Sequence, residues 1–352
     1  MTTLSGRTLF PVQVSADREI RTTVGLRPFR PSGFVVRAEK LDETLLVHNY
    51  GHGGGGITLS WGTARLAVDL GIQGYTGPAA VIGCGAVGLA TARLLQEAGL
   101  SVIIYTQDLP PNTTSNMAGG QWFPFLVSSA KTTPAFDEQF MSASRYAYCR
   151  YQTMLGPRFG VRWIRNYELA HESWREEGLR GLHGPLVSMI PELRDLTPHE
   201  HPFTGYEYVR QMDTMLIEPA VYLAAMLDEF HLAGGTVVVR KMQDVRDITG
   251  LREKLVFNCT GLGAKALFND SELTPVKGQL TVLLPQPEVD YIVLAEDLYM
   301  FPRSDGILLG GTHEQGVWSL EPNLEAKQKI LEGHREFFDD MRTRMKATGQ
   351  RP

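Results

Sequence analysis

"AAVIGCGAVGLATARLL", residues 79–95, decides the fold. Four small or branched apolar residues lead into Gly83-Cys84-Gly85, and a run of helix formers follows, with Gly88 completing G-x-G-x-x-G spacing. That order reads as strand, tight turn, helix. The first glycine permits the turn, the second lets backbone approach a pyrophosphate, and the third lets helix and strand pack closely. The helix N-terminus then offers N–H groups and positive partial charge to the phosphates. Gly83, Gly85, Ala86, Val87 and Gly88 are therefore expected to form a dinucleotide-binding turn.

Working outward, "SVIIY" (101–105) closes a β-α-β unit. The end of its second strand should carry an acid for the ribose hydroxyls. Gln107 stands there and Asp108 follows, so hydrogen-bonding capacity is kept and the charge is not. Downstream, "KLVFNCTGLGAKAL" (254–267) is an apolar strand running through Thr260-Gly261 into a helix, a pattern suited to the adenosine half of a flavin dinucleotide. Upstream, "HNYGHGGGGITLSWGT" (48–63) opens a second helix on Gly53–Gly56. Glycines this dense destabilise unless the backbone needs positive φ or very close approach. A helix N-terminus without side chains can sit against a flat ring and favours negative charge there. One ligand is thus expected to span both junctions, with a flexible hinge as the rival reading of 51–56. His48 and His52 lack an evident third ligand, and no metal is expected.

Elsewhere, strands are expected at 35–40, 44–50, 236–242, 278–284, 298–302 and 306–312. Helices are expected at 57–70, 134–155, 217–230 and 323–345, a turn-rich linker at 71–78, and irregular structure over 161–209. The 352 residues suit roughly two domains. Apolar content of 43% with 21% charged residues is that of a soluble globular protein. A net charge of -5 leaves no footprint for nucleic acid. No apolar run reaches membrane-spanning length, and the first residues lack a secretory h-region. The three cysteines, Cys84, Cys149 and Cys259, are far apart and unpatterned, which fits reduced thiols and a cytoplasmic location.

"GLRPFRP" (25–31), "HNYGHGGGGITLSWG" (48–62), "VIGCGAVGL" (81–89), "TTSNMAGGQWFPF" (113–125), "NCTG" (258–261), "KGQL" (277–280) and "YMFPRSDGILLGGT" (299–312) resemble the D-amino acid oxidase family, oxidoreductases and flavoproteins of D-amino acid metabolism that use FAD. The resemblance implies an α/β fold: a Rossmann-like FAD-binding domain plus a mixed or antiparallel-sheet substrate domain. The order of motifs differs from the family's. There the phosphate turn comes first, and the counterparts of 25–31 and 48–56 come last. The implied explanation is circular permutation, with 71–78 joining the old ends, a rearrangement tolerated where termini lie close at the surface. The expected FAD-binding domain is 34–133 with 212–274. The expected substrate domain is 1–33 (the strand carrying Arg27), 134–211 and 275–345 with its C-terminal helix.

The resemblance also implies roles. Arg27 and Tyr299 would bind the substrate carboxylate; a guanidinium fork makes two parallel charge-assisted bonds to such a group. The Gly54 carbonyl would accept the substrate amine. Hydride would pass from Cα to the flavin, the imino acid would hydrolyse to a 2-oxo acid and ammonia, and dioxygen would leave as hydrogen peroxide. Gly53 and Gly54 would flank the ring, and backbone N–H groups around Gly55, Gly56, Ile57 and Thr58 would stabilise its reduced form. Thr113, Thr114, Gly119, Gly120, Gln121, Trp122, Thr260 and Gly261 would complete the cofactor set, Trp122 having a core position as its alternative. Phe123 and Phe301 would wall a pocket for neutral apolar or aromatic side chains. His313 raises the rival of a second carboxylate, as in D-aspartate oxidases. Ala295 stands where mammalian members place a second tyrosine, so lid behaviour does not carry over. Expected partners are a D-amino acid and dioxygen, with neither nucleic acid nor membrane, and a homodimer left open. The alternatives are a glycine or sarcosine-type oxidase, a D-aspartate oxidase, or a flavin amino-acid dehydrogenase with another electron acceptor.

Overall fold

The computed structural model describes residues 9–130, 132–173 and 184–348. β1 (Glu19–Phe29) leads into an antiparallel pair, β2 (Val35–Leu41) and β3 (Thr44–Tyr50), and β3 runs through the glycines into α1 (Gly56–Gly71). β4 (Ala79–Ile82), α2 (Ala86–Glu97) and β5 (Val102–Thr106) form the expected β-α-β unit. α3 (Pro134–Gln152) is N-capped by the Thr133 side chain and precedes β6 (Val161–Ala170), β7 (Arg194–Leu196) and β8 (Tyr208–Ile217). Next come α4 (Pro219–Leu232), β9 (Thr236–Val239), α5 (Val245–Thr249), β10 (Leu255–Asn258) and α6 (Gly263–Leu267). β11 (Thr274–Leu283), β12 (Tyr291–Ala295), β13 (Leu298–Arg303), β14 (Gly306–Gly310), the two-residue β15 (Glu314–Gln315) and α7 (Leu324–Ala347) close the described chain.

One sheet has the order β2-β3-β10-β4-β5-β9 and is parallel except for β2. Its strands are apolar throughout because both faces are covered. Val47, Val81, Ile104 and Phe257 pack with α1 and α2, while Leu46, Ala80, Ile82 and Val256 pack against Met242, Ile248 and Leu251. β10 inserts between β3 and β4, with Asn258 opposite both His48 and Ile82. The C-terminal ends of β3 and β4 are therefore level and one strand apart. Both glycine junctions leave from that edge, which is where open α/β sheets bind ligands.

The second sheet has the order β1-β11-β14-β13-β12-β6-β8-β7, with β15 on β11, and is antiparallel apart from the β12–β6 pair. α7 covers one face through Phe338, Met341 and Met345, joined by Leu9, Val12 and Val14 from the start of the described chain. The other face carries Ile164, Leu280, Ile292, Phe301 and Leu308 and looks toward the parallel sheet. Among the described residues no helix is long and apolar enough to cross a membrane.

Residues 161–209 are more regular than expected; 174–183 lie outside the described residues. β6 is a ten-residue strand. Its pattern hides it, because residues 166–170 are all buried and the inner face carries polar Asn166 and Glu168. The helix expected from 217 starts at Pro219, since a residue preceding proline avoids helical backbone. α3 stops at Gln152 and β9 at Val239, each shorter than expected. β8 spans 208–217 as one strand of the large sheet, so it straddles the expected domain boundary at 211/212.

Candidate active site

A cavity of about 1280 Å³ lies between the two sheets. Its wall takes in both glycine junctions, the loop 112–121 and the inner face of the large sheet.

At the phosphate turn Gly83 has φ +113, and a Cβ there would meet the Cys259 carbonyl oxygen at 2.5 Å. A Cβ on Gly88 would meet the Gly83 carbonyl oxygen at 2.0 Å, so this glycine serves helix–strand packing and is not part of the cavity wall. Gly83, Gly85, Ala86 and Val87 all line the cavity, as do Thr113, Thr114, Thr260 and Gly261. The Ala86 N–H donates to the Ser115 hydroxyl at 3.0 Å, a partner the sequence did not disclose. Burial pushes the Cys84 and Cys259 thiols up to about 12, so neither is a nucleophile here. Gln107 is exposed in the wall and donates to the Asp108 carboxylate at 3.0 Å. Arg240 and Lys241, which follow the edge strand β9, line the same end. They also escaped the sequence reading, since only the β5–β9 pairing brings them beside Gln107.

At the other junction the glycines are required by what lies on them. Cβ atoms on Gly53 and Gly54 would meet the carbonyl oxygens of Leu126 and Phe125 at 2.0 and 2.6 Å. The backbone of 125–126 thus occupies their side-chain positions, and Gly53, Gly54, Gly56, Ile57 and Thr58 line the cavity. Gly55 does not line it. Its Cβ position faces Val127, and its N–H is already given to the His52 carbonyl at 2.9 Å. No side chain caps α1, so the first-turn N–H groups of Gly56, Ile57 and Thr58 keep the anion-favouring character of a helix start. The Thr58 hydroxyl does separate work: it donates to the Phe123 carbonyl at 3.1 Å and accepts from the Phe123 N–H at 3.2 Å. His52 lies 2.9 Å from the Thr63 hydroxyl and stacks on Phe34, and burial pushes its pKa down to about 3. His48 lies between Glu39 and Asn258.

Loop 119–122 is held by an antiparallel bridge: the Ile217 N–H donates to the Gly120 carbonyl and the Trp122 N–H to Met215, each at 2.7 Å. Gly119, Gly120 and Gln121 face the cavity. Trp122 does not. It is buried in the core with its ring edge-on to Tyr148 at 5.0 Å, because side chains alternate across this extended segment.

The far wall of the cavity is built on the large sheet. Arg27 on β1 donates through Nη2 to the Tyr299 hydroxyl on β13 at 3.4 Å. Its guanidinium covers Gly278, where a Cβ would lie 2.4 Å from Nη1. The Tyr299 ring covers Gly310 in the same manner. Phe301 stands 5.5 Å from Tyr299 between ring centroids and packs on Gly119, and Phe123 and Leu294 add to the wall. His313 also lines the cavity, 5.8 Å from the Phe125 ring, with its pKa lowered by burial and by the Arg27 charge. The β12–β13 connection is a two-residue turn, Glu296-Asp297, so no long loop covers the chamber there. Glu168 on β6 is 4% exposed and lines the chamber. It passed unnoticed, like the seats at Gly278 and Gly310, because its place depends on strand register.

Two donors in the wall, Arg27 Nη1 and Gln121 Nε2, are buried and have no hydrogen-bond partner among the described residues. Such groups cost stability unless a ligand accepts from them. With the glycine turn after β4 and the glycine-based start of α1 both in its wall, the chamber fits a flavin dinucleotide.

Comparison with known proteins agrees. The chain is 32% identical over 260 residues to the D-amino-acid oxidase of Streptomyces coelicolor, covering 72% of this chain and 76% of that protein. It is 31% identical over 265 residues to the D-amino-acid oxidase of Rubrobacter xylanophilus, covering 72% and 74%. Human D-aspartate oxidase is 26% identical over 260 residues, covering 72% and 73%. Among solved structures, glycine oxidase from Geobacillus kaustophilus shares the fold, with a TM-score of 0.56 at 18% identity over 75% of this chain and 79% of that one. The DAO family profile, described as FAD dependent oxidoreductase, matches residues 5–70 and 79–352. The chain therefore belongs to the DAO family of FAD dependent oxidoreductases.

Proposed function

We propose that the protein oxidises D-amino acids with dioxygen, giving a 2-oxo acid, ammonia and hydrogen peroxide. The observation that carries this reading is the Arg27–Tyr299 pair, set on glycines in a chamber that also receives the phosphate turn. Its relatives named D-amino-acid oxidase support it.

FAD, when bound, supplies the two-electron acceptor for the hydride from Cα. The chain supplies position. Arg27 and the Tyr299 hydroxyl hold the carboxylate, with charge-assisted bonds worth roughly 1.5–3 kcal/mol each. The Gly54 carbonyl accepts from the amine, fixing which substituent of Cα faces the ring. Fixing both ends of the reacting centre removes most of the orientational entropy from the step. The first-turn N–H groups of α1 at Gly56, Ile57 and Thr58 favour negative charge in the middle of the chamber. The side-chain pocket is walled by Phe123, Phe301 and Leu294. His313, whose protonation is disfavoured by burial and by the Arg27 charge, is a weak partner for a second carboxylate, which favours a D-amino acid oxidase over a D-aspartate oxidase.

We further infer that motif order is circularly permuted. The two-piece family match broken at 71–78 supports this, and so does the packing of both described chain ends in one cluster. The cysteine pattern supports a cytoplasmic location.

Purified protein should be yellow. Under nitrogen, D-methionine should bleach the flavin band and L-methionine should not; on readmission of air, peroxide should appear with colour. Bleaching by the L-enantiomer would overturn the stereochemical reading. Bleaching by D-methionine without peroxide on reoxidation would make the enzyme a dehydrogenase.

A further inference from the structure

Resting on the reading of the chamber as a D-amino acid site, we propose that residues 317–320 form a strap that closes over the clamp, and that Trp318 and Leu320 then pack on the substrate side chain and position it. The placement follows from the strands that hold the loop. Arg27 pairs with Val276, and Val276 pairs with Gln315 of β15. The Gly316 N–H donates to the Pro275 carbonyl at 2.8 Å, and Lys277 Nζ donates to the Glu321 carbonyl at 2.7 Å. Both anchors thus lie next to Val276, the cross-strand partner of Arg27. Asn323 is fixed as well, through two hydrogen bonds with the Gln279 side chain at 2.7 and 3.0 Å. Between the anchors, Val317, Trp318, Ser319 and Leu320 take part in no backbone–backbone hydrogen bond among the described residues. Gly316 opens the strap at φ +77, with open space at its Cβ position. A segment tied at its ends and unpaired between them belongs to the low-stability part of a fold, from which lids are drawn.

The side chains on this strap are the wrong kind for a solvent-facing loop. Trp318 is 51% exposed and Leu320 62%, and both line the cavity. Phe125, 40% exposed, stands in the same wall beside Gly54, 5.8 Å from the His313 ring. Three large apolar side chains thus stay wet in the wall of one cavity. Exposed apolar groups gathered at a cavity, rather than scattered singly, mark a surface that a ligand covers. Other exposed large hydrophobics, Leu70, Leu155 and Leu232 among them, lie outside that wall and need no such account. The two-residue β12–β13 turn offers no comparable cover. A substrate held by Arg27 and Tyr299 projects its side chain away from the carboxylate, and one that reaches Trp318 and Leu320 gives them a surface to bury. Closure also removes water from the reacting centre, which strengthens the charge-assisted bonds of the clamp. Because the contact is made by side-chain carbon, the gain grows with the apolar area the substrate offers.

The test uses the FAD-loaded protein and 3-phenylpropanoate, a carboxylate with no amine to be oxidised. Its binding is read from the flavin spectrum, and amide hydrogen exchange is followed in the peptide spanning 316–321. Exchange there should slow by about tenfold or more when the probe binds. Trp318→Ala should lower kcat/KM for D-phenylalanine about tenfold more than for D-alanine, and Trp318→Phe should restore most of that difference. Unchanged exchange while the flavin spectrum shows the probe bound overturns the proposal, and this arm stands even if the variant does not fold. Equal loss for both substrates in Trp318→Ala also overturns it, as a structural role. Protection that follows protein concentration and not the probe overturns it too, and makes Trp318 and Leu320 a contact between copies of the chain. Any of these results beside turnover of D-amino acids sinks this inference alone. A flavin spectrum that never responds to the probe, or absence of turnover with any D-amino acid, sinks the underlying reading as well.

Discussion

The ring of Tyr299 lies on Gly310: a Cβ there would fall 2.0 Å from its Cε2 and 2.6 Å from its hydroxyl oxygen. Arg27 lies likewise on Gly278, whose Cβ would fall 2.4 and 2.6 Å from the two Nη atoms. Neither glycine has positive φ, so backbone conformation alone would admit alanine at both. The space belongs to the two side chains above. Gly278→Ala should therefore displace Arg27 without disturbing the strand. KM for D-methionine should rise by about tenfold or more, the loss of one charge-assisted bond, while FAD affinity stays the same. Steady-state kinetics beside an FAD titration checks this, and an unchanged KM would show that Arg27 is not the clamp.

Arg27→Lys tests geometry against charge. Lysine keeps the positive charge and loses the planar fork. If carboxylate binding depends on two parallel bonds, the lysine variant should lose roughly tenfold in kcat/KM, chiefly through KM. A variant with wild-type KM would reduce Arg27 to a source of field.

Trp122 offers a complementary test. Its indole is buried among Tyr148 and other core residues, outside the cavity wall. Trp122→Phe should lower stability by about 1–3 kcal/mol, as core substitutions do, and leave the flavin absorbance spectrum and KM alone. Urea titration and visible spectroscopy separate these outcomes. A shifted flavin spectrum at unchanged stability would place the indole at the cofactor after all.

Much of the parallel sheet was legible because its signals are local. Residues 79–106 carry strand, glycine turn and helix in consecutive residues, and each glycine has a reason within a few positions. The large sheet was not legible in the same way. β6 has no clean alternation because it is buried on both faces and lines a polar chamber on one. Gly278, Gly310 and Glu168 take their meaning from partners across strands, and Arg240 from an edge pairing with β5. Trp122 and Gly55 belong to motifs that face the cavity, yet each points away, since neighbouring residues of an extended or tightly turning segment project oppositely. The motifs converge on one cavity and left the facing of individual side chains to register.

Acid should weaken the fold through its buried histidines, His52 and His334 among them. Burial pushes the pKa of His52 down from 6.5 to about 3 and that of His334 down to about 4. Below pH 6.5 the unfolded chain takes up these protons and the folded chain does not, so stability falls as pH drops from about 6.5 toward 4. The slope is at most about 1.4 kcal/mol per pH unit for each histidine. His334 Nε2 also lies 3.2 Å from the Tyr299 backbone carbonyl, so the same window bears on the strand that carries Tyr299. Urea midpoints at pH 7.5, 6 and 5 should decline in steps, and His334→Gln should flatten the decline. A pH-independent midpoint over that range would contradict the assignment.

Chain order gives the last prediction. Residues 9–14 belong with the end of the chain: the Tyr291 hydroxyl donates to the Phe10 carbonyl at 2.7 Å, and Arg342 donates to the Val12 carbonyl at 2.6 Å. Leu9, Val12 and Val14 share a core cluster with Phe338, Met341 and Met345 of α7. Residues 72–78, in contrast, are mostly exposed, and a Cβ on Gly74 would touch nothing within 4 Å. Contacts are thus denser where the chain is open than where it is joined, although Ile72 and Tyr75 pack on the edge of the core. Rearranging the chain to begin at Pro78, with residues 1–71 following Pro352, should preserve every strand pairing, since none of them involves 72–78. Loop-closure costs depend only weakly on length, so the rearranged protein should bind FAD and keep kcat/KM within about threefold, with melting lowered by a few degrees at most, on the order of 1 kcal/mol. A rearranged chain that cannot hold FAD would mean that the α1–β4 connection carries structure of its own, and residues 1–70 would then have to be regarded as an element added before the phosphate turn.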